Sequence, residues 1–202
     1  RVLFRSAAAC IAGIVSLEDA LALVVTRGLA MEDAGEGAML AVSLTEEAMR
    51  TFLAARGTRS FPDGPDVGIA AVNAPNRVVL SGSCQAVAQV EQALHDAGVT
   101  CQRVHVSRAF HSPMMQRAAD AITHKAREVD LHTPTIPLAS NLTGDWLTEV
   151  QALDPTYWGD HMLQAVRFGD TIQTILQQHP DAILEVGPGR ILSTLATRSE
   201  EH

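Results

Sequence analysis

The sequence is poor in cysteine and in positive charge. It holds three cysteines, Cys10, Cys84 and Cys101. These fit neither a disulfide framework nor a CxxC metal site, and so sparse and odd a number predicts a reducing, cytoplasmic setting. Lys and Arg total 15 against 23 Asp and Glu, a formal net charge of -8. That excludes a general binder of nucleic acid or of anionic membranes, which needs a basic surface. No apolar run reaches the roughly 18 residues that span a bilayer. The N-terminus shows no charged stretch followed by an apolar segment and a small-residue cleavage site. His95, His105, His124, His161 and His179 have no metal-ligand spacing to one another or to cysteine, so no metal is expected. There is no internal repeat and no low-complexity tract.

What is present is apolar and patterned. Hydrophobic residues make up 47% and charged residues 19% of 202 positions, enough for a real core in one large domain or two small ones. Ala7 to Met31 reads as two helices broken at Ala12-Gly13, the second capped by Ser16. Its main stripe is Leu21, Val24, Val25 and Leu29, with Arg27 on a different face. Strand patterns follow at Ala38 to Leu44, Val67 to Val72, Arg77 to Ser81 and Cys101 to Val106. Helices capped by Thr45 and by Ser83 lie between them, and Arg59 to Asp66 reads as a loop. The order is β-α-β-β-α-β, a ferredoxin-like split βαβ unit. Beyond it, Ser112-Pro113 starts a helix to about Val129, Ile136 to Ser140 is a short strand, and Pro155 to Gln178 is mostly helical. Ala182 to Val186 reads as a buried strand, turned by Gly187-Pro188-Gly189 into a last helix. The fold class is α/β: a layered domain with a smaller ferredoxin-like subdomain inserted in it.

Two residues stand out chemically. His111, in SRAFHSPMM, lies on a connection just before a helix with Pro at its first position. An imidazole there is placed for general base work, although most histidines only pack or cap. Arg27 is a guanidinium in an apolar helix. It could hold a carboxylate in bidentate fashion, or it could be a solvated arginine near a helix end. EVGPGR, Glu185 to Arg190, is a strand-turn-helix junction but neither GxGxxG nor a P-loop, so it supports no nucleotide site.

Taken together, AGIVSLEDALALVVTRGLAM, GAMLAV, IAAVNAPNRVVLSG, SRAFHSPMM, YWGDHMLQAVRF and LEVGPGRILSTLA resemble the acyltransferase domain of modular polyketide synthases. These are kin to the malonyl-CoA:acyl carrier protein transacylases. The resemblance implies an α/β-hydrolase-like large subdomain (7–36 and 108–197) carrying a ferredoxin-like small one (37–107). It implies ping-pong transfer of a malonyl-type unit from malonyl-CoA, through an acyl-serine, to the phosphopantetheine thiol of an acyl carrier protein. No tightly bound cofactor is implied. Ketosynthase and other synthase domains would be neighbours, in the cytoplasm. His111 matches the family's base and Arg27 its carboxylate-binding arginine. Asn141 matches an asparagine that helps hold the His111 ring, and Gln151 a position whose backbone carbonyl accepts from it. Phe110 matches the substrate-selecting position. Malonyl-selective domains read HAFH there and methylmalonyl-selective ones YASH, so RAFH points to malonyl while departing at Arg108.

The family's nucleophile lies in GHSxGE. Its serine would fall on Val2 and its Gly-Glu pair on Phe4 and Arg5, so no nucleophile is present. The two ends are related through the genetic code. Val2 to Ser6 can be written GTG CTC TTC CGA TCT, whose reverse complement AGA TCG GAA GAG CAC encodes Arg198 to His202. Residues 1–6 and 198–202 are therefore expected to be translated sequencing adapter, and the 202 residues an inactive fragment of an active parent. The alternatives are a non-catalytic module that docks a carrier protein or braces its neighbours, and a stand-alone ferredoxin-like sensor.

Overall fold

The structure is a computed structural model describing residues 3–58, 66–187 and 189–200. Most of the 59–66 loop, Pro188 and the outermost residues of both ends lie outside the described residues.

Four strands make one sheet: β1 (Ala38–Val42), β2 (Val67–Ala74), β3 (Arg77–Gly82) and β4 (Cys101–Val104). Their order is β2-β3-β1-β4 and every neighbouring pair is antiparallel. The alternation that marks the strands decides the two faces. Leu40, Val42, Val78 and Leu80 point to one side. There they pack with Met49 and Leu53 of α3 (Glu46–Ala54) and with Val87, Val90 and Leu94 of α4 (Cys84–Asp96). Met39 and Val79 point to the other side, with Ala70 and Ala71, against Val106, Phe110 and Val166. Both helices start as their sequence predicts: the Thr45 hydroxyl accepts from Ala48 N and the Ser83 hydroxyl from Ala86 N. Gly98, in the left-handed region at φ 71°, ends the α4 turn.

The chain leaves and rejoins the rest of the molecule at one point. Gly37 N donates to Ser107 O at 3.1 Å. A Cβ on Gly37 would lie 2.6 Å from both the Ala109 nitrogen and its Cβ, so only glycine fits this crossing.

The second region is helical among the described residues. It comprises α1 (Leu3–Ile11), α2 (Leu17–Glu32), α5 (Gln116–Ala126), α6 (Glu149–Leu153), α7 (Pro155–Asp160), α8 (Phe168–Leu176) and α9 (Ile191–Glu200). Its core joins Ile14, Val15 and Leu23 to Ile122, Leu147, Tyr157 and Trp158. Gly159 lets α7 cross α5 closely, because a Cβ there would run into the Thr123 hydroxyl and come within 2.7 Å of Ala119 O.

Four expectations need correction. The buried face of α2 is Ala20, Leu23 and Arg27, whereas Leu21, Val25 and Leu29 of the apparent stripe are exposed. Residues 182–186 form no strand, and Leu184 is 83% exposed. A strand needs a neighbour for its N–H and C=O groups, and no described element offers one. Residues 136–140 contribute only a single bridge, Ala139 with Trp146. The helix after Ser112 opens with a 3-10 turn, Pro113–Met115, and its α-helical part stops at Ala126.

Candidate active site

His111 is held in an uncommon backbone conformation, φ 58°. Such a residue persists only where its surroundings fix it, and it marks a functional candidate. The fixing is visible on both sides. Ala109 is fully buried, and the buried Ser112 hydroxyl donates to Ala109 O at 2.6 Å while accepting from Met114 N at 3.2 Å. A tight loop results.

The ring is oriented from a different element. His111 Nδ1 lies 3.1 Å from the Gln164 backbone carbonyl. A carbonyl can only accept, so Nδ1 carries the hydrogen and Nε2 is the basic nitrogen. Gln151, expected in this role, makes other contacts among the described residues. That residue forms a capping box at the start of α6, its side chain accepting from Thr148 N and its own N–H donating to the Thr148 hydroxyl. Its carbonyl accepts from Asp154 N. Nothing in the sequence singles out Gln164, because a backbone carbonyl has no residue-type signature.

Gln164 belongs to a strap, residues 163–167, that ties three parts together. Val166 extends the β2 edge in parallel: Val72 N donates to Val166 O at 2.8 Å, and Val166 N to Ala70 O at 2.9 Å. Arg167 N donates to Asn141 O at 2.7 Å. Asn141 is thus next to the strap, and its contact with it is through the backbone. Its side-chain oxygen is buried and has no hydrogen-bond partner among the described residues. The Arg167 guanidinium pairs with Glu46 Oε2 and with Asp170 Oδ2, both at 2.6 Å. Burial would raise the Glu46 carboxyl, but hydrogen bonds from Arg50 and Arg167 outweigh it and hold it below its ordinary value.

Arg27 lies on the buried face of α2 and is only 9% exposed. Its Nε finds no hydrogen-bond partner among the described residues. Burial pushes its pKa down to about 10. A guanidinium in this state has lost water without gaining a counter-ion among the described residues. The end of α2 is fastened to the His111 loop. Arg108 donates to Met31 O and Glu32 O at 3.4 and 3.3 Å, while Phe110, like Ala30, Met31 and Ala34, packs against the cluster of Met115, Ala118, Ala119 and Met162. Phe110 also touches the sheet face built on Met39, Ala71 and Val79, so it fills the seam between the two regions. Among the described residues no group of His, Cys, Asp and Glu could hold a metal ion. No described helix is long and apolar enough to cross a membrane.

A carbonyl-set histidine in an uncommon backbone conformation, on a loop fastened to a helix with an orphaned buried guanidinium, makes up the candidate site. Comparison with known proteins specifies it further. The family model described as "Acyl transferase domain" matches residues 5–199. The chain belongs to this family. It is 38% identical over 191 residues to the spectinabilin polyketide synthase system protein NorB of Streptomyces orinoci, covering 94% of this chain and 8% of that protein. With the mycoketide-CoA synthase of Mycobacterium tuberculosis it shares 40% identity over 183 residues, 90% of this chain and 4% of the synthase. Among solved structures, the acyltransferase domain from the second module of the salinomycin polyketide synthase superposes with a TM-score of 0.88 at 40% identity. The match covers 98% of this chain and 45% of that one. The malonyl CoA-acyl carrier protein transacylase of Coxiella burnetii gives 0.86 at 28% identity, covering 97% and 62%. The chain thus spans less than two thirds of these relatives and a small share of the synthases.

Proposed function

We propose that this chain is part of an acyltransferase domain that moves a malonyl-type unit from coenzyme A to the phosphopantetheine thiol of an acyl carrier protein in a cytoplasmic synthase. The observation that carries the reading is Arg27, a buried cation with an orphaned donor, on the helix whose end is fastened to the His111 loop through Arg108. A malonyl group presents a free carboxylate that such a guanidinium can hold, while its thioester end meets the base.

In this reading the two residue sets divide the work. The family's serine, in a part of the domain outside these 202 residues, gives its proton to His111 Nε2 and attacks the thioester carbonyl. The coenzyme A sulfur leaves and takes that proton back as the carbonyl re-forms on the serine. The carrier thiol then enters by the reverse sequence, its proton passing to Nε2. The Gln164 carbonyl keeps Nδ1–H pointed away and steadies the imidazolium, the role an aspartate has in a Ser-His-Asp triad. Asn141 holds the strap that bears Gln164. Phe110 crowds the position an α-methyl would take and so favours malonyl. The sheet unit 37–107 is the ferredoxin-like small subdomain; 7–36 and 108–197 belong to the hydrolase-like large one. A non-catalytic docking module gains no support from the family match.

The test uses the complete domain. Arg27→Ala is expected to cut loading from malonyl-CoA far more than loading from acetyl-CoA. Equal losses would remove Arg27 from the substrate.

A further inference from the structure

The Glu46–Arg167 pair joins the first turn of α3, in the sheet unit, to the strap that carries Gln164. We propose that Glu46 and Arg167 are positioning residues: their ion pair holds the strap so that the Gln164 carbonyl fixes the His111 ring as its Nδ1–H tautomer.

The connections are short and continuous. Glu46 Oε2 meets Arg167 Nη1, and Asp170 Oδ2 meets Arg167 Nε, each at 2.6 Å. One guanidinium is thus gripped by carboxylates from two elements. Arg167 N is anchored on Asn141 O, and Val166 is paired with the β2 edge. Only Ala165 separates Val166 from Gln164, and Gln164 N donates to Asp160 O, so the carbonyl has little room to turn once both flanks are held. Arg50 takes the other Glu46 oxygen at 2.8 Å, which keeps that carboxylate facing the strap. The pair is partly buried, with side-chain exposures of 30% for Arg167 and 25% for Glu46, so solvent screens it only in part. The device makes the orientation of the base depend on how the sheet unit sits. It rests on the reading of His111 as the base, but its test reads the ring itself and needs no catalysis.

The experiment is long-range 1H–15N NMR of the His111 ring in the 202-residue chain, at a pH where the ring is neutral. Comparison of Glu46→Gln, Arg167→Lys, their double variant and Glu91→Gln decides the matter. Glu91 forms a similar ion pair with Arg103, at 2.6 Å, within the sheet unit and away from the strap. The proposal expects each single variant of the brace to raise the minor Nε2–H tautomer about threefold, the scale of a partly exposed ion pair. The double variant should add little to either single one, and Glu91→Gln should leave the ring unchanged. Glu46→Gln preserves side-chain size, and amide spectra verify its fold; it carries the test if Arg167→Lys does not fold. An unchanged ring in folded Glu46→Gln overturns the proposal. So does an equal shift in Glu91→Gln, which would mean general loosening. Loss of the malonyl preference tested through Arg27 bears on the acyltransferase reading alone.

Discussion

Replacing Arg27 by Met should stabilise this chain. The guanidinium is buried, and its pKa falls from the ordinary arginine range to about 10, roughly 2.5 units, because burial disfavours the charged form. At about 1.4 kcal/mol per unit, that displacement is about 3 kcal/mol of unfavourable free energy in the ligand-free fold. The sign follows from linkage. The unfolded arginine keeps its proton to higher pH than the folded one, so the penalty is complete at neutral pH and is relieved only as pH rises past about 10. Methionine has similar length and no charge to desolvate, and water reaching the site recovers part of the arginine's cost. A gain of about 1–3 kcal/mol is expected, which for a chain of this size raises the melting temperature by roughly 2–12 °C. Thermal unfolding followed by circular dichroism measures it at pH 7. Malonate should then raise the melting temperature of the unsubstituted chain and leave Arg27→Met unmoved, since a ligand stabilises only the form that binds it. A variant that melts below the parent would show that Arg27 is paid for by structural contacts, and equal stabilisation of both by malonate would place the anion elsewhere.

Other substitutions probe the loop and the packing. In a complete domain, His111→Ala should lower acyl-serine formation by roughly 10²–10⁴-fold, measured by single-turnover loading from labelled malonyl-CoA; wild-type rates would remove it from the role of base. Phe110→Ser should reduce the preference for malonyl-CoA over methylmalonyl-CoA by roughly 10-fold in competition assays, and an unchanged ratio would move selectivity away from this position. Gly159→Ala should destabilise the chain by about 1–3 kcal/mol in urea titrations, because its methyl has no room between Thr123 and the Ala119 carbonyl.

The sheet unit was legible because each strand has one neighbour set per face. Leu40, Val42, Val78 and Leu80 alternate with Met39, Ala41 and Val79, and period two leaves no second solution. Helix α2 was not. Its apolar residues occupy more than one face, and periodicity does not say which face meets the neighbours; Leu21, Val25 and Leu29 lie exposed while Arg27 is inside. Residues 182–186 failed for a related reason, since an apolar run becomes a strand only when another strand accepts it. At the site, His111 and Arg27 were visible as side chains with charge in unusual contexts. The partner of His111 was not, because Gln164 acts through an atom every residue has.

The crossing of Gly37 with Ala109 has a consequence for how such a molecule is assembled. Because 37 and 107 meet, closing the long excursion between them costs the rest of the chain little more than a short turn would once the sheet has formed. The excursion can then gain its order early, from contacts that are all its own, and deliver α2 and the His111 loop to each other already aligned. An exchange of this whole unit between relatives would leave that alignment intact only if the glycine travels with it.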